Sequence, residues 1–320
     1  MSPGILVAGE AIVDLLVGDD PRHPVASPGG SPANTAVALA RLGTPVSFAG
    51  RFGNDRFGDL LMSHLSGNGV DLGHAVEAAE PASLAVVTLD PDGLPAYGFH
   101  VEGTADWLWA DGELPGALPA EVLAVHTGSL AIARQPGAEV LARWFEDQRR
   151  HRITSLDPNI RPDLTGDRTT YLRRLERLVA ASDIVKVSAE DLAWVHPGED
   201  PVRVATRWSR ELGPALVVVT LGGDGATALH PGGTVRRPAA RVSVVDTVGA
   251  GDAFSGGLLH WLAGHDRLDR DALARLTTSE LARALDYAAA VAGLTCARPG
   301  ADPPTARQVR SALRPAATPA

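Results

Sequence analysis

The chain has 320 residues, 45% of them hydrophobic, which is enough for one large α/β domain or two small ones. A formal charge of -9 argues against a nucleic-acid or membrane-surface role, because both need a basic face, so any phosphate binding is expected to be local. One cysteine, Cys296, excludes an internal disulfide and a cysteine-based metal knuckle, and Lys186 is the sole lysine among 29 basic residues, with no P-loop around it.

The opening Met1-Ser2-Pro3-Gly4 lacks the charged start and long apolar run of a signal peptide, and no stretch has membrane-span length, so a cytoplasmic protein is expected. Residues 4–10 read as a buried strand ending in glycine, and 11–17 as a second extended run carrying Asp14. Ser27-Pro28-Gly29-Gly30-Ser31-Pro32-Ala33-Asn34 reads as a glycine loop feeding an alanine-rich helix that Gly43 closes. Gly29 and Gly30 would let a ligand approach the backbone, and Asn34 offers a donor and an acceptor to a hydroxyl; a turn with a helix cap is the alternative.

Residues 46–50 form the next predicted strand and 59–67 a helix, followed by extended segments at 70–75 and 83–89. Asp90-Pro91-Asp92-Gly93 is a strong turn before the aromatic run around Tyr97 and Phe99, and this hairpin interrupts the strand–helix rhythm. Together with 11–17 it predicts a small separate sheet over one end of the main one, with lid strands at about 11–17 and 83–104. The alternation resumes with strands at 122–129 and 153–157. His126, Asp157, Asn159 and Arg161 lie where open parallel sheets bind ligands, at or just beyond strand ends. The arginines of the amphipathic helix at 172–181 read as its solvated face.

A strand at 184–187 leads into Ser188-Ala189-Glu190-Asp191, which is close to a capping box. The run 215–220 is the most strand-like in the chain, and Gly222 to Gly225 turn it back into 226–229. Asp246-Thr247-Val248-Gly249-Ala250-Gly251-Asp252-Ala253-Phe254 then reads as a glycine turn opening a buried helix. Such a joint binds anions, because the first N–H groups of a helix lack partners and carry partial positive charge. Asp252 inside it is either a cap or a base that takes a proton from something attacking a bound phosphate. An alanine-rich helix at 281–293, an irregular run over 294–301 and a short helix at 306–313 complete one expected domain, 1–320, with a frayed end.

Two distant stretches agree on a family. Gly29-Gly30-Ser31-Pro32-Ala33-Asn34-Thr35-Ala36 resembles the first signature of the ribokinase-like (pfkB) sugar kinases. Asp246 to Leu258 resembles the second, with its catalytic aspartate. The resemblance implies a three-layer α/β fold, a mainly parallel central sheet between helices with a small β-sheet lid. It further implies that Asp252 deprotonates a sugar hydroxyl, that Gly249, Ala250 and Gly251 hold the transferring phosphate, and that Asp14, Gly29, Gly30 and Asn34 hold sugar hydroxyls. Thr220, Gly222 and Gly225 resemble the turn beside ATP, and Lys186 and Ser188 fall on the same side.

The family's Asn-x-x-Glu is Ser188-Ala189-Glu190-Asp191 here, so Glu190 and Asp191 are the two candidates for organising Mg2+. A K+ site is implied at the carbonyls of Asp246, Val248, Thr295, Arg298 and Gly300. Phe99, Asn159 and Arg161 look like the fructokinase branch, and Arg161 is expected to reach the substrate or a phosphate, with a plain surface salt bridge as the competing reading. Fructose is therefore the expected substrate, with 2-keto-3-deoxygluconate and ribose as alternatives; a catalytically silent sugar- or nucleotide-binding regulator is the reading from another class. Exposed lid edges make a homodimer through the lid an expectation as well.

Overall fold

The computed structural model describes residues 4–18, 20–89 and 95–313. In chain order the elements are β1 (Gly4–Ala8), β2 (Ile12–Leu16), β3 (Val25–Gly29), α1 (Ser31–Leu42), β4 (Val46–Ala49), β5 (Arg51–Gly53), α2 (Arg56–Gly67), β6 (Val76–Ala78), β7 (Leu84–Leu89) and β8 (Pro95–His100). They continue with β9 (Val122–Gly128), α3 (Gly137–Gln148), β10 (Ile153–Asp157), α4 (Arg168–Ala180), β11 (Ile184–Ser188), α5 (Ala189–Val195), α6 (Pro201–Glu211) and β12 (Leu216–Thr220). The last are β13 (Ala226–His230), β14 (Gly233–Arg237), α7 (Ala250–Gly264), α8 (Arg270–Ala274), α9 (Thr278–Cys296) and α10 (Ala306–Ala312).

The main sheet has eight strands in the order β14-β13-β12-β11-β10-β9-β1-β4. The pairs from β4 to β12 are parallel, while β13 and β14 add an antiparallel edge. Strand β1 illustrates why a continuous apolar run folds this way. Ile5 and Val7 enter the core shared with α1, α7 and α9, and Leu6 and Ala8 enter the one shared with α3, α4 and α6.

Small residues set the position of α7. A Cβ on Gly256 would lie 2.7 Å from Ala38 Cβ on α1, and one on Gly257 would lie 3.1 Å from Ala288 Cα on α9. The two glycines thus let α7 pack closely between its neighbours, which carries its first turn to the start of α1.

A second sheet, β3-β2-β7-β8, is built from chain that leaves the main sheet twice, after β1 and before β9. Asp106 braces its root by accepting from Ala11 N (3.0 Å) and Ser83 Oγ (2.6 Å). Arg51 does the same by donating to Ala105 O and pairing with Glu80 and Glu113.

Several expectations need correction. Residues 25–29 form strand β3, an edge strand that tolerates Pro28 because only β2 pairs with it. The helix following it begins at Ser31, so the glycine loop reduces to Gly30, whose φ of 100° is left-handed. Segment 70–75 makes only the single bridge Ser47↔Asp71 before β6, and α9 runs on through Thr295 and Cys296. Arg174 is not on a solvated face. It is buried, and it donates to the carbonyls of Ile132 and Ala133. The turn expected at Asp90-Pro91-Asp92-Gly93 and the frayed end beyond 313 lie outside the described residues. Among the described residues no helix is long and apolar enough to cross a membrane.

Candidate active site

The centre of the site is the start of α7. Gly249 is its N-cap in the left-handed region, φ 72°, and a Cβ there would stand 2.6 Å from Ala301 Cβ. Ala250 N donates to Thr247 O (3.2 Å) and Ala253 N to Gly249 O (2.8 Å), closing the turn, while the helix dipole directs positive potential outward from it.

Asp252 makes no capping bond within its own helix. Its carboxylate instead reaches across to α1, where Ser31 Oγ donates to Oδ1 (2.6 Å) and Asn34 Nδ2 to Oδ2 (2.8 Å). It is 6% exposed. Burial raises its pKa above the ordinary carboxylate value, the Ser31 and Asn34 bonds pull the other way, Asp157 adds to the rise and Lys186 opposes it. A carboxylate so shifted, beside a cluster of free helix N–H groups, has the makings of a general base at an anion site.

Behind this turn lies Lys186. The register of β10 with β11 pairs Leu156 with Val185, which sets Asp157 beside Lys186, and the two form an ion pair at 2.9 Å. His126, expected at a binding edge, instead points into the core. Its Nδ1 lies 2.9 Å from Ser155 Oγ, and burial, with Lys186 nearby, pushes it down to about 3, so it is neutral.

The small sheet contributes Asp14, Tyr97 and Phe99. Asp14 Oδ2 occupies the space a Cβ on Gly29 would take, which is why glycine ends β3 there. Partial burial raises Asp14 to about 6; Arg161 lowers it and Asp252 raises it, so the three charged groups face a common space. Gly30 turns the chain into α1, and a Cβ there would stand 2.7 Å from Glu10 O and 3.0 Å from Ala11 Cα. The Tyr97 and Phe99 rings are stacked at 6.0 Å, and a hollow of about 190 Å³ is lined by these two, Arg161, Pro162 and Asp163. Arg161 is exposed and donates to Asn159 Oδ1 (2.8 Å), while Asn159 itself has φ 37°.

On the other side, Ser188 ends β11 next to Thr220 of β12 in register. Gly222 (φ 54°) and Gly225 (φ 93°) form the turn after β12, where a Cβ on Gly225 would collide with Arg237 O. The capping box at α5 is present: Asp191 N donates to Ser188 Oγ (2.9 Å), and Ser188 N donates to Asp191 Oδ2 (3.1 Å). Asp191 Oδ1 accepts from Ile160 N (2.7 Å), so this buried acid already ties two loops, whereas Glu190 is exposed. Asp246 bridges Val248 N (3.0 Å) and Gly300 N (2.8 Å), joining the loop before α7 to the loop after α9. Thr295 O there already accepts Arg298 N (3.0 Å) and Gly300 O accepts Asp302 N (2.9 Å). Among the described residues no group of three or more His, Cys, Asp or Glu is placed to hold a metal.

Sequence reasoning gave no role to Ser31, Ser255 or Tyr97. Ser31 sat in plain view within the first glycine stretch, but only the packing of α1 on α7 reveals what it meets.

Residues 5–307 match the pfkB family carbohydrate kinases. The chain belongs to that family. The kinase is 36% identical over 282 residues to the fructokinase of Rhizobium leguminosarum bv. trifolii, covering 87% of this chain and 85% of that one. Its fold superposes on the crystal structure of fructokinase from Xylella fastidiosa with bound ATP at a TM-score of 0.90, with 31% identity and 98% of each chain covered. A double-mutant fructokinase of Vibrio cholerae O395, solved with fructose, ADP and potassium ion bound, superposes at 0.85 with 28% identity, covering 98% of this chain and 99% of that one. The kinase is accordingly a sugar phosphotransferase with the ribokinase-like fold.

Proposed function

We propose that this kinase transfers the γ-phosphoryl group of ATP to a primary hydroxyl of fructose, with Asp252 as the base. The observation that carries this is the buried Asp252 carboxylate, fixed by Ser31 and Asn34 at the mouth of an anion-binding helix start. In the reaction the hydroxyl proton passes to an Asp252 oxygen as the sugar oxygen bonds to the γ-phosphorus. The bond from that phosphorus to the bridging oxygen breaks, and ADP leaves with the electron pair. The N–H groups of Gly249 and Gly251 receive the charge on the moving phosphoryl group, joined by that of Ala250 as it turns from Thr247 O.

Asp14, Asn34 and the backbone at Gly29 and Gly30 hold the sugar hydroxyls, with Phe99, Asn159 and Arg161 closing the far side. Lys186, Ser188, Thr220, Gly222 and Gly225 line the nucleotide side. Of the two acids considered for Mg2+, the geometry favours Asp191, which is buried and faces Lys186 and Asp157, over the exposed Glu190. Asp191 has spare lone pairs but both its oxygens already accept N–H groups, so it suits a metal held through water. Such a metal would supply positive charge to the ATP phosphates. The loops joined by Asp246 present the carbonyls of Asp246, Val248, Thr295, Arg298 and Gly300 for K+, whose charge would reinforce the anion turn.

In this reading the whole chain works as one domain. The small sheet closes over the sugar and excludes water, a second copy pairs on its exposed face at Leu16, Val25 and Tyr97, and the enzyme draws on cytoplasmic ATP. ADP release with Mg2+ and K+, measured across fructose, 2-keto-3-deoxygluconate, ribose, glucose and adenosine, tests it. Stimulation by fructose is expected. Stimulation by the keto acid alone would keep the mechanism and replace the substrate, and sugar binding without turnover would favour a regulator.

A further inference from the structure

Under the anion turn lies a buried ion pair that proton abstraction by Asp252 does not itself require. Lys186 and Asp157 meet at 2.9 Å with side chains 7% and 1% exposed. Ser255, one turn beyond Gly251 on α7, donates to the same Asp157 oxygen at 3.0 Å, so strands β10 and β11 and helix α7 all converge on one carboxylate. The other oxygen, Asp157 Oδ1, is buried without a partner. The Lys186 ammonium lies 2.9 Å from where a Cβ on Gly251 would stand. Glycine at 251 therefore does more than expose N–H groups, because it lets a cation rest against the backbone of the turn itself.

Burial works against a charged lysine, yet the Asp157 carboxylate, with Asp191 and Asp252 at longer range, outweighs it and holds the ammonium above the ordinary lysine value. We propose that Asp157 is a positioning residue for phosphoryl transfer: it pins the Lys186 ammonium beneath the Gly251 turn, where that cation meets the transferring phosphoryl group. This rests on the kinase reading above and adds to it a fixed positive charge whose location is set by Asp157 and Ser255. Preorganised charge of this kind needs no rearrangement as the phosphoryl group moves. A purely structural pair would behave differently, since a buried ion pair replaced on both sides by neutral residues is often tolerated without loss.

That contrast supplies the experiment. The double variant Asp157→Asn/Lys186→Met leaves no buried charge orphaned, so it is expected to melt cooperatively and to bind fructose with wild-type affinity. Its kcat should fall on the order of 10²-fold. In Asp157→Asn alone, the ammonium has lost its nearest counter-charge and gives up its proton at lower pH, so kcat should decline on the alkaline side where the wild type holds level. The other titratable groups around Lys186 are His126, Asp191 and Asp252, and both variants retain them. A double variant with wild-type kcat, or an Asp157→Asn profile that superposes on the wild type, overturns the proposal. Should Asp157→Asn fail to fold, the double variant decides alone. A wild-type enzyme inactive towards every sugar would sink the kinase reading and this inference together, whereas an active wild type with an unaffected double variant would sink this inference only.

Discussion

The two ends of the candidate site are built differently. At the phosphate end, Asp252, Asp157, Lys186 and Ser255 are all buried, come from elements of the main sheet and its helices, and bond to one another or to α1. At the sugar end, Asp14 and Tyr97 stand on the small sheet and Arg161 on a main-sheet loop. Tyr97 is 49% exposed, and among the described residues Arg161 bonds only to Asn159 and the Ile160 carbonyl. In the reading proposed above, the chemical machinery is thus assembled in advance, while the groups assigned to the sugar are divided between the small sheet and a main-sheet loop. Rate should respond to the first set and affinity to the second.

The sharpest way to break that division is at Asp252. Asp252→Asn keeps the shape and removes the base, so kcat should drop on the order of 10³-fold or more, while calorimetric fructose affinity changes by less than about twofold. A variant that loses binding instead would erase the contrast between the ends. Asp14→Asn should do the reverse, raising KM for the sugar roughly 10- to 100-fold as a charged hydrogen bond is lost, with kcat nearly kept. Because Asp14 sits at about 6, wild-type KM should fall as pH rises through that value and the carboxylate ionises, and the variant's KM should be flat over the same range.

A milder probe is Gly29→Ala. Its added methyl meets only the movable end of Asp14, so it should raise KM by about three- to tenfold with no change in melting temperature. The smallest effect concerns the joint between the two sheets. Glu10 is buried just after β1, accepts from Ala131 N (3.0 Å) and is pushed by burial from 4.5 up to about 7. The folded state then holds a proton that the unfolded state has lost, so this contribution to stability is complete below about 4.5 and disappears as pH rises through about 7. Glu10→Gln should flatten the melting temperature across that window; an unchanged slope would exonerate Glu10.

How much of this was legible beforehand follows the same division. The helix start at Gly249 and the stretch around Asn34 could be read because phosphate approach demands glycine and a free helix end, both local properties of sequence. Strand β3 could not, since Pro28-Gly29 followed by Gly30 has the composition of a turn, and 25–29 become a strand only through pairing with β2. Lys186 did carry a signal. A lysine within the apolar Ile184-Val185-Lys186-Val187 has to be paired if buried, and Asp157 closes a neighbouring strand; its place under Gly251 depends on how α7 docks. The partners of Glu10 and Arg174 were beyond reach, because each bonds to backbone groups far along the chain that have no side-chain identity to read.

That Lys186 is the one lysine in the sequence gives the site a chemical address. An acylating or reductively alkylating reagent has a single side-chain amine to find, and that amine lies against the phosphate turn, all but closed to solvent. Mass added at this position therefore counts molecules in which the turn has opened. Its suppression by ATP, ADP or sugar phosphate would report occupancy without any turnover, one ligand at a time.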